Sequence, residues 1–281
     1  TFTVTDDPAN NNPSHDTNWT KAVDFSGSNE YSYQVSNSTN YQPIALDGIS
    51  ATATGHTTAG YTSGHIYSRP FATAIVFKVD GHNSNQHIWN QGGGANDDNI
   101  YLRLSASRQL YFGWGRDGAL NECYISSIFN AIQSNEWVGV YIGHTGARYS
   151  GSAATAANLM NTFDIRLMTS ADNFSSVGNN LSNQFGSNLS STGARMDRSF
   201  AGDFTIAGRG TNRNFHGKIA STVVTTLKRN VAMPTDAEIT KMITDPLAWR
   251  DDQVGETFQS LCYPMTEICN CQPCSCSTAR E

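Results

Sequence analysis

The stretch 214–249, "NFHGKIASTVVTTLKRNVAMPTDAEITKMITDPLAW", changes its period half-way along. Its first part sets Ile219, Val223 and Leu227 at even spacing, the pattern of a strand with one apolar face. Its second part has the marks of a helix. Thr235 and Glu238 make a capping box, in which the hydroxyl accepts from the N3 amide and the carboxylate accepts from the cap's own N–H. Pro234 precedes the box, Ile239, Met242 and Ile243 form an apolar stripe, and Pro246 is expected to end the segment. The stretch therefore predicts a strand, a short connection and one helix of about two to three turns.

Elsewhere the apolar residues alternate in short runs. Ile75, Phe77 and Val79 share a face in "TAIVFKVDG", and Phe163, Ile165 and Leu167 do so in "TFDIRLM", with Asp164 and Arg166 opposite. In "NIYLRLSASRQLYFGWG", Ile100, Leu102 and Leu104 lead to a polar turn, after which Leu110, Phe112 and Trp114 resume the pattern, which predicts a β-hairpin. Each of these is expected to be a half-buried strand, and further strands are expected at 23–25, 31–35, 87–91, 136–143 and 204–208. Gly/Asn/Ser turns separate these runs with no helical pattern between them, which favours an antiparallel sandwich over a parallel βαβ sheet. The segment 143–200 is long and polar, with a single strand expected at 163–168. Connections of that length are either functional or solvated surface.

The chain has 281 residues and a net charge of −6, with few lysines and abundant Asn, Ser, Thr and Gly. That surface does not suit a nucleic-acid partner, which needs a basic face. No apolar run approaches the roughly 20 residues that span a bilayer, so membrane insertion is not expected. The chain begins at Thr1, as a processed product or a fragment would. The expected division is a β-sandwich over 1–250 and a Cys-rich tail over 251–281.

The order of these pieces resembles the concanavalin A-like lectin and glucanase superfamily, in particular its laminin-G-like jelly-roll branch. The resemblance runs through "AVDFSGSNEY", "FATAIVFKVDG" with "HIWNQGG", the hairpin, "NEWVGVYIG" and the closing "FHGKIASTVVTTLKRNVAMPTDAEITKMITDP", over roughly residues 20–248. It implies an all-β, antiparallel jelly-roll β-sandwich with one short C-terminal helix, which would lay its apolar stripe on the edge or open end of the sandwich.

Catalytic members of such a superfamily need paired acids on alternate strand positions, so that alternation aims them into one cleft. No Glu-x-Asp-x-Glu or Glu-x-Asp-x-x-Glu is present, and Asp164 and Asp203 stand alone on strand-like segments. Gly-x-Ser-x-Gly, His-Glu-x-x-His and a P-loop are also missing. "QGGGANDDN" is glycine-rich but lies between two strands, where a flexible turn is expected. The expectation is that the protein is not an enzyme.

Binding fits better. Sugars are held by aromatic faces and by Asn, Asp and backbone groups that read hydroxyls. The candidate ligand-binding residues are Asn96, Asp97 and Asp98 in one turn, with Trp114, Arg116 and Asp117 in "GWGRDG". Some relatives in the resembled family bind Ca²⁺ through such loop carboxylates, which makes Ca²⁺ the cofactor these turns would suit. His56, His65, His82 and His87 have no spacing that fixes a metal site and read as ordinary loop or strand-end residues. Asn-x-Ser/Thr triplets at Asn18, Asn37, Asn173, Asn180 and Asn188 are no more than this composition produces by chance.

Cys262, Cys269, Cys271, Cys274 and Cys276 are too dense for core packing. They would either gather a zinc ion or form disulfides in an oxidising setting, with the odd one left for Cys123 or another chain. The expected function is a non-enzymatic binding or structural module on an extracellular assembly. A virion surface protein of the phage decoration or tail-fibre type is the leading form, making glycan or protein contacts as a homo-oligomer or particle-bound subunit. The alternatives are a polysaccharide-cleaving glycoside hydrolase and a lectin domain of a secreted cell-surface protein.

Overall fold

A computed structural model describes residues 3–5, 22–26, 33–35, 71–81, 85–92, 99–106, 109–116, 119–124, 136–144, 161–170, 174–175, 177–181, 185–189, 204–208, 213–226, 233–252 and 260–264. The described strands build two antiparallel sheets of seven strands each. The first sheet runs β1 (Thr3–Thr5), β2 (Ala22–Ser26), β13 (His216–Thr226), β4 (Phe71–Val79), β9 (Trp137–His144) and β10 (Phe163–Thr169), with β14 (Ser260–Pro264) also on β13. The second runs β11 (Phe185–Leu189), β8 (Ala119–Tyr124), β7 (Leu110–Arg116), β6 (Asn99–Leu104), β5 (Gln86–Gly92), β12 (Phe204–Ile206) and β3 (Tyr33–Val35). The chain passes back and forth between the sheets, so this is the all-β, jelly-roll sandwich that the resemblance implies.

The expected hairpin is present, with Ile100 opposite Trp114, Leu102 opposite Phe112 and Leu104 opposite Leu110. Those six side chains face Phe71, Ile75, Phe77, Val138, Val140, Ile142, Phe163 and Ile165 of the first sheet in one continuous core. At its centre Phe163 meets Phe112 edge-on with ring centroids 4.8 Å apart and stacks with Trp114 at 5.9 Å. Each such side chain contributes roughly 1.5–3 kcal/mol by leaving water, so this layer dominates the stability of the fold.

Two expectations about the opening stretch are corrected. The strand β13 does not keep one apolar face from Ile219 to Val223. Ile219 pairs with Phe77 and Ser221 with Val76, so Ala220 is an extra residue, a β-bulge. The parity of the strand reverses there: Ile219 and Val224 enter the core between the sheets, whereas Ala220 and Val223 belong to a second apolar cluster on the outer side of the first sheet. Leu227 lies outside the described residues.

The helix is also placed differently. The first, α1 (Asp236–Thr244), has the capping box: the Thr235 hydroxyl accepts from the Glu238 N–H, and the Glu238 carboxylate accepts from the Thr235 N–H at 2.7 Å. Pro246 does not end helical structure. It opens a second helix, α2 (Pro246–Asp252), at the first helical position, where its missing N–H has no partner to lose. There are thus two short helices among the described residues, not one. They lie over the outer face of the first sheet rather than at its edge or open end. Ile239, Met242, Ile243 and Trp249 are buried with Ala72, Ala74, Val76, Trp137, Tyr141 and Met168. This is why β4 and β9 are buried along their whole length on both faces, where β4 was expected to be half-buried. The sheet makes room for the helix with small residues, above all Gly139, where a methyl group would lie 2.5 Å from Ile243 Cγ2.

The polar segment 143–200 supplies two described strands, β10 and β11, rather than one. It also covers the outer edge of β10. The Asn180 side-chain amide imitates a neighbouring strand: its Oδ1 accepts from the Ile165 N–H at 3.0 Å and its Nδ2 donates to the Phe163 carbonyl at 3.2 Å. The Leu181 N–H donates to the Ile165 carbonyl at 2.8 Å. The open edge of the sheet is thereby blunted. Finally, β14 falls within the stretch set apart as a tail, yet it pairs with β13 from Ser221 to Thr225. Cys262 sits there, opposite Val223, whereas Cys123 lies on β8 of the other sheet, opposite Phe112. Cys269, Cys271, Cys274 and Cys276 lie outside the described residues.

Candidate functional site

In β6 the alternate residues to the core set, Asn99, Tyr101 and Arg103, must point to the outer face of the second sheet. The register extends them sideways into rows. Arg103 pairs with Tyr111 on β7 and with His87 on β5. The His87 N–H donates to the Arg213 carbonyl at 2.9 Å, which adds Arg213 as the fourth member of that row. Beneath it, Tyr101 is flanked by Gly113 on one side and by Asn90 and then Thr205 on the other. Asn99 lies between Gly115 and Gly92 in the third row.

The second and third rows, on the same face, are polar and buried. Asn90, Asn99, Tyr101 and Thr205 are all buried. Asn99 Nδ2 donates to Asn90 Oδ1 at 3.4 Å, Asn90 Nδ2 donates to the Gly92 carbonyl at 3.3 Å, and the Thr205 hydroxyl reaches the Asn90 carbonyl at 3.2 Å. Buried polar groups held in this way specify one arrangement of the sheet.

The first row is where the face becomes accessible. Tyr111 and Arg103 are half-buried, and Arg213 and Asn85 are exposed. The Arg103 guanidinium carbon stands 4.2 Å from the centre of the Tyr111 ring, a cation–π contact, while its Nη1 donates to Asn85 Oδ1 at 3.3 Å. The Tyr111 hydroxyl donates to Gln109 Oε1 at 2.7 Å. Between the arginines, His87 is buried and its ring lies 5.2 Å from that of Tyr101. Arg213 Nη1 is 3.5 Å from His87 Nε2. In that contact the guanidinium is the donor and Nε2 the acceptor. Arg213 is held there by a left-handed backbone, φ 56°.

A sheet bulge explains why the row is not visible in the sequence of β5. His87 pairs with Arg103 and Trp89 with Leu102, leaving Ile88 as the extra residue, so His87 and Trp89 do not share a face as their spacing implies. His87 is the second residue of β5, a strand-end residue as expected, and its place in the row is set by the bulge. The alternation of β6 did contain the signal: the partners of Ile100, Leu102 and Leu104 on the opposite face are the candidate site.

Of the expected ligand-binding residues, Trp114 and Arg116 lie among the described ones. Trp114 is fully buried in the core against Phe163, so its ring has no face to offer a ligand. The alternation that points Ile100 inward points its partner Trp114 inward too. Arg116 ends β7, paired with Ala119. Asn96, Asp97, Asp98 and Asp117 lie outside the described residues, as do His56, His65, His82 and Asp203. The strand ends that flank those turns, Gly92, Asn99, Gly115 and Leu120, meet at the third row, the opposite end of the sheet from Arg103. Asp164 is ion-paired with Arg166 on the outer side of the first sheet, near Asp236 of α1. Among the described residues no three His, Cys, Asp or Glu side chains come together to hold a metal ion. No described helix is long and apolar enough to cross a membrane.

No family model matches the chain, and no curated protein matches it. Solved structures do. One is the carbohydrate-binding module CBM40 of the Ruminococcus gnavus IT-sialidase bound to α2,3 sialyllactose, with 12% identity and a TM-score of 0.39 over 79% of this chain and 95% of that one. Another is the mouse laminin α1 chain, domains LG4-5, with 13% identity and a TM-score of 0.38 over 76% of this chain and 44% of that one. A third is tailspike protein 2 of an Escherichia coli O157:H7 bacteriophage, with 14% identity and a TM-score of 0.36 over 69% of this chain and 27% of that one.

Proposed function

We propose that this protein is a non-enzymatic, glycan-binding β-sandwich module whose binding surface is the outer face of the second sheet. The observation that carries the reading is the row Tyr111, Arg103, His87 and Arg213, whose Tyr111, Arg103 and Arg213 are accessible at one end of that face, beside the buried polar residues Asn90, Asn99, Tyr101 and Thr205. Such a surface combines a flat aromatic ring for C–H patches with fork-shaped and amide donors for hydroxyls, on rigid strands that need no ordering when a ligand arrives. The absence of a paired-acid motif from the sequence supports binding without cleavage. The solved structures it resembles include a module bound to sialyllactose, a laminin domain pair and a phage tailspike, and glycans are accordingly the first ligands to try. The setting on an extracellular assembly such as a virion surface belongs to the same proposal and rests on the neutral, hydrogen-bonding composition.

The test is a glycan array probed with the whole chain, followed by titration of any hit against Tyr111→Ala. Binding that weakens at least about fivefold in the variant, the equivalent of ~1 kcal/mol, is expected from loss of the ring face. Absence of any glycan ligand, or a hit indifferent to Tyr111, refutes the assignment. Release of new reducing ends from the bound glycan would refute the non-enzymatic part alone.

A further inference from the structure

We infer that Met233 is a site of reversible oxidation, its sulfoxide oxygen received by the buried hydroxyl of Tyr141. Tyr141 stands on β9, on the outer side of the first sheet, in the apolar cluster that α1 covers. It is fully buried, and its hydroxyl has no hydrogen-bond partner in an interior where nearly every such group finds one. Burial, reinforced by the charge of Asp164, pushes ionisation of the phenol far above its ordinary range, so the group remains a donor. Asp164 is itself engaged, with its Oδ1 paired to Arg166 Nε. A buried phenol in this state has room for an acceptor and gains by meeting one.

Met233 lies where that acceptor would arise. A methyl group on Gly143 would stand 2.3 Å from the Tyr141 hydroxyl oxygen and 2.5 Å from Met233 Cε, so the two side chains end over the same glycine. Met233 comes two residues before the Thr235 cap, which ties its backbone to the start of α1. It is partly exposed, whereas Met168 and Met242 are fully buried, so among these three an oxidant in water reaches Met233 first. A thioether sulfur is a weak acceptor and a sulfoxide oxygen a strong one. With hydrogen peroxide as oxidant, a sulfur lone pair attacks one peroxide oxygen: the S–O bond forms as the O–O bond breaks. The departing hydroxide takes the proton of the transferred oxygen and leaves as water, the sulfur having given up two electrons. A sulfoxide in an apolar layer ordinarily disrupts it. Here the new oxygen enters beside a donor that lacked a partner, and the start of α1 can stay in place in both redox states.

The experiment treats the whole chain with dilute hydrogen peroxide, locates the oxidised methionines by peptide mass spectrometry, and follows thermal melts of the parent, Tyr141→Phe, Met233→Leu and Met233→Gln. Met233 should oxidise at least about fivefold faster than Met168 and Met242 in the folded protein, and a methionine sulfoxide reductase should reverse it. Oxidation should lower the Tm of Tyr141→Phe by roughly 2–4 °C more than that of the parent, the loss of one hydrogen bond, and Met233→Leu should show no such Met233-dependent loss. Met233→Gln sets a permanent amide acceptor in the same place and should melt within ~3 °C of the parent without any oxidant. This variant decides the matter if Tyr141→Phe does not fold. Met233 oxidised no faster than the buried methionines, equal losses of Tm in the parent and Tyr141→Phe, or a larger fall in Met233→Gln overturns the inference.

Discussion

Replacing Gly139 by alanine tests whether α1 is a structural part of the sandwich. A methyl group at that position would stand 2.5 Å from Ile243 Cγ2 and 3.1 Å from Phe174 Cε1. Carbon atoms in contact rest about 3.5–4.0 Å apart, so the helix must lift by roughly 1 Å or Ile243 must leave its rotamer. Overpacking of that size costs ~1–3 kcal/mol, offset by ~0.5–1 kcal/mol because alanine has less backbone freedom to lose than glycine. Ile243→Ala alone should cost ~2–5 kcal/mol through the cavity it leaves. In the double variant the new methyl occupies part of that cavity and meets no Cγ2, so the pair should be less destabilised than the sum by ~1–2 kcal/mol. Equilibrium urea unfolding of the four proteins measures each corner of the cycle. Additivity within about 0.5 kcal/mol, or a Gly139→Ala protein more stable than its parent, would show that α1 does not press on β9 there. Glycan binding should be unchanged in all four, since the helix and the polar rows lie on different sheets.

Asn180→Ala removes two hydrogen bonds from the edge of β10 and should cost ~1–2 kcal/mol while adding concentration-dependent self-association; a variant that stays monomeric in sedimentation at high concentration would argue against the edge-covering role. Thr235→Ala deletes the cap of α1 and is expected to lower stability by ~1 kcal/mol, read in the same urea assay. His144 is fully buried, stacked with Phe71 at 5.7 Å and within 2.7 Å of the Thr162 hydroxyl, and burial lowers its pKa to about 3. An unfolded chain binds that proton near the ordinary 6.5, so the stability gained from a neutral His144 is complete above that pH and lost as pH falls toward 3. The slope approaches ~1.4 kcal/mol per pH unit, and His144→Phe should flatten it between pH 6 and pH 4, as thermal melts across that range would reveal.

The strands that could be read from the sequence are those whose alternation is uninterrupted. β4, β6, β7 and β10 each keep one face apolar, and all were placed with their inward residues correct. β5 and β13 each carry one extra residue, at Ile88 and Ala220, and a local reading of periodicity cannot see an insertion that only the neighbouring strand defines. The same limit hid the candidate site, because Arg213 joins Arg103 through a pairing between distant parts of the chain. The capping box was legible because all its partners lie within four residues. What the helix covers was not: the places of Ala72, Ala74, Val76 and Gly139 become intelligible only once Ile239 and Ile243 lie on them. Trp114 was offered as a stacking platform although the hairpin pattern already turned it inward, and there the pattern was the better guide.

The division of one flank of β13 has a consequence for how the molecule assembles. Residues 216–219 of that strand bind β2, from early in the chain, and residues 221–225 bind β14, from late in it, with the bulge at Ala220 marking the junction. During synthesis the early half of this seam can zip as soon as β13 emerges, but the late half must wait for residues 260–264, presenting a bare run of backbone donors and acceptors in the meantime. A ribosome-bound chain halted before that point is therefore where a chaperone, or a wrong neighbour, would find a strand ready to be joined.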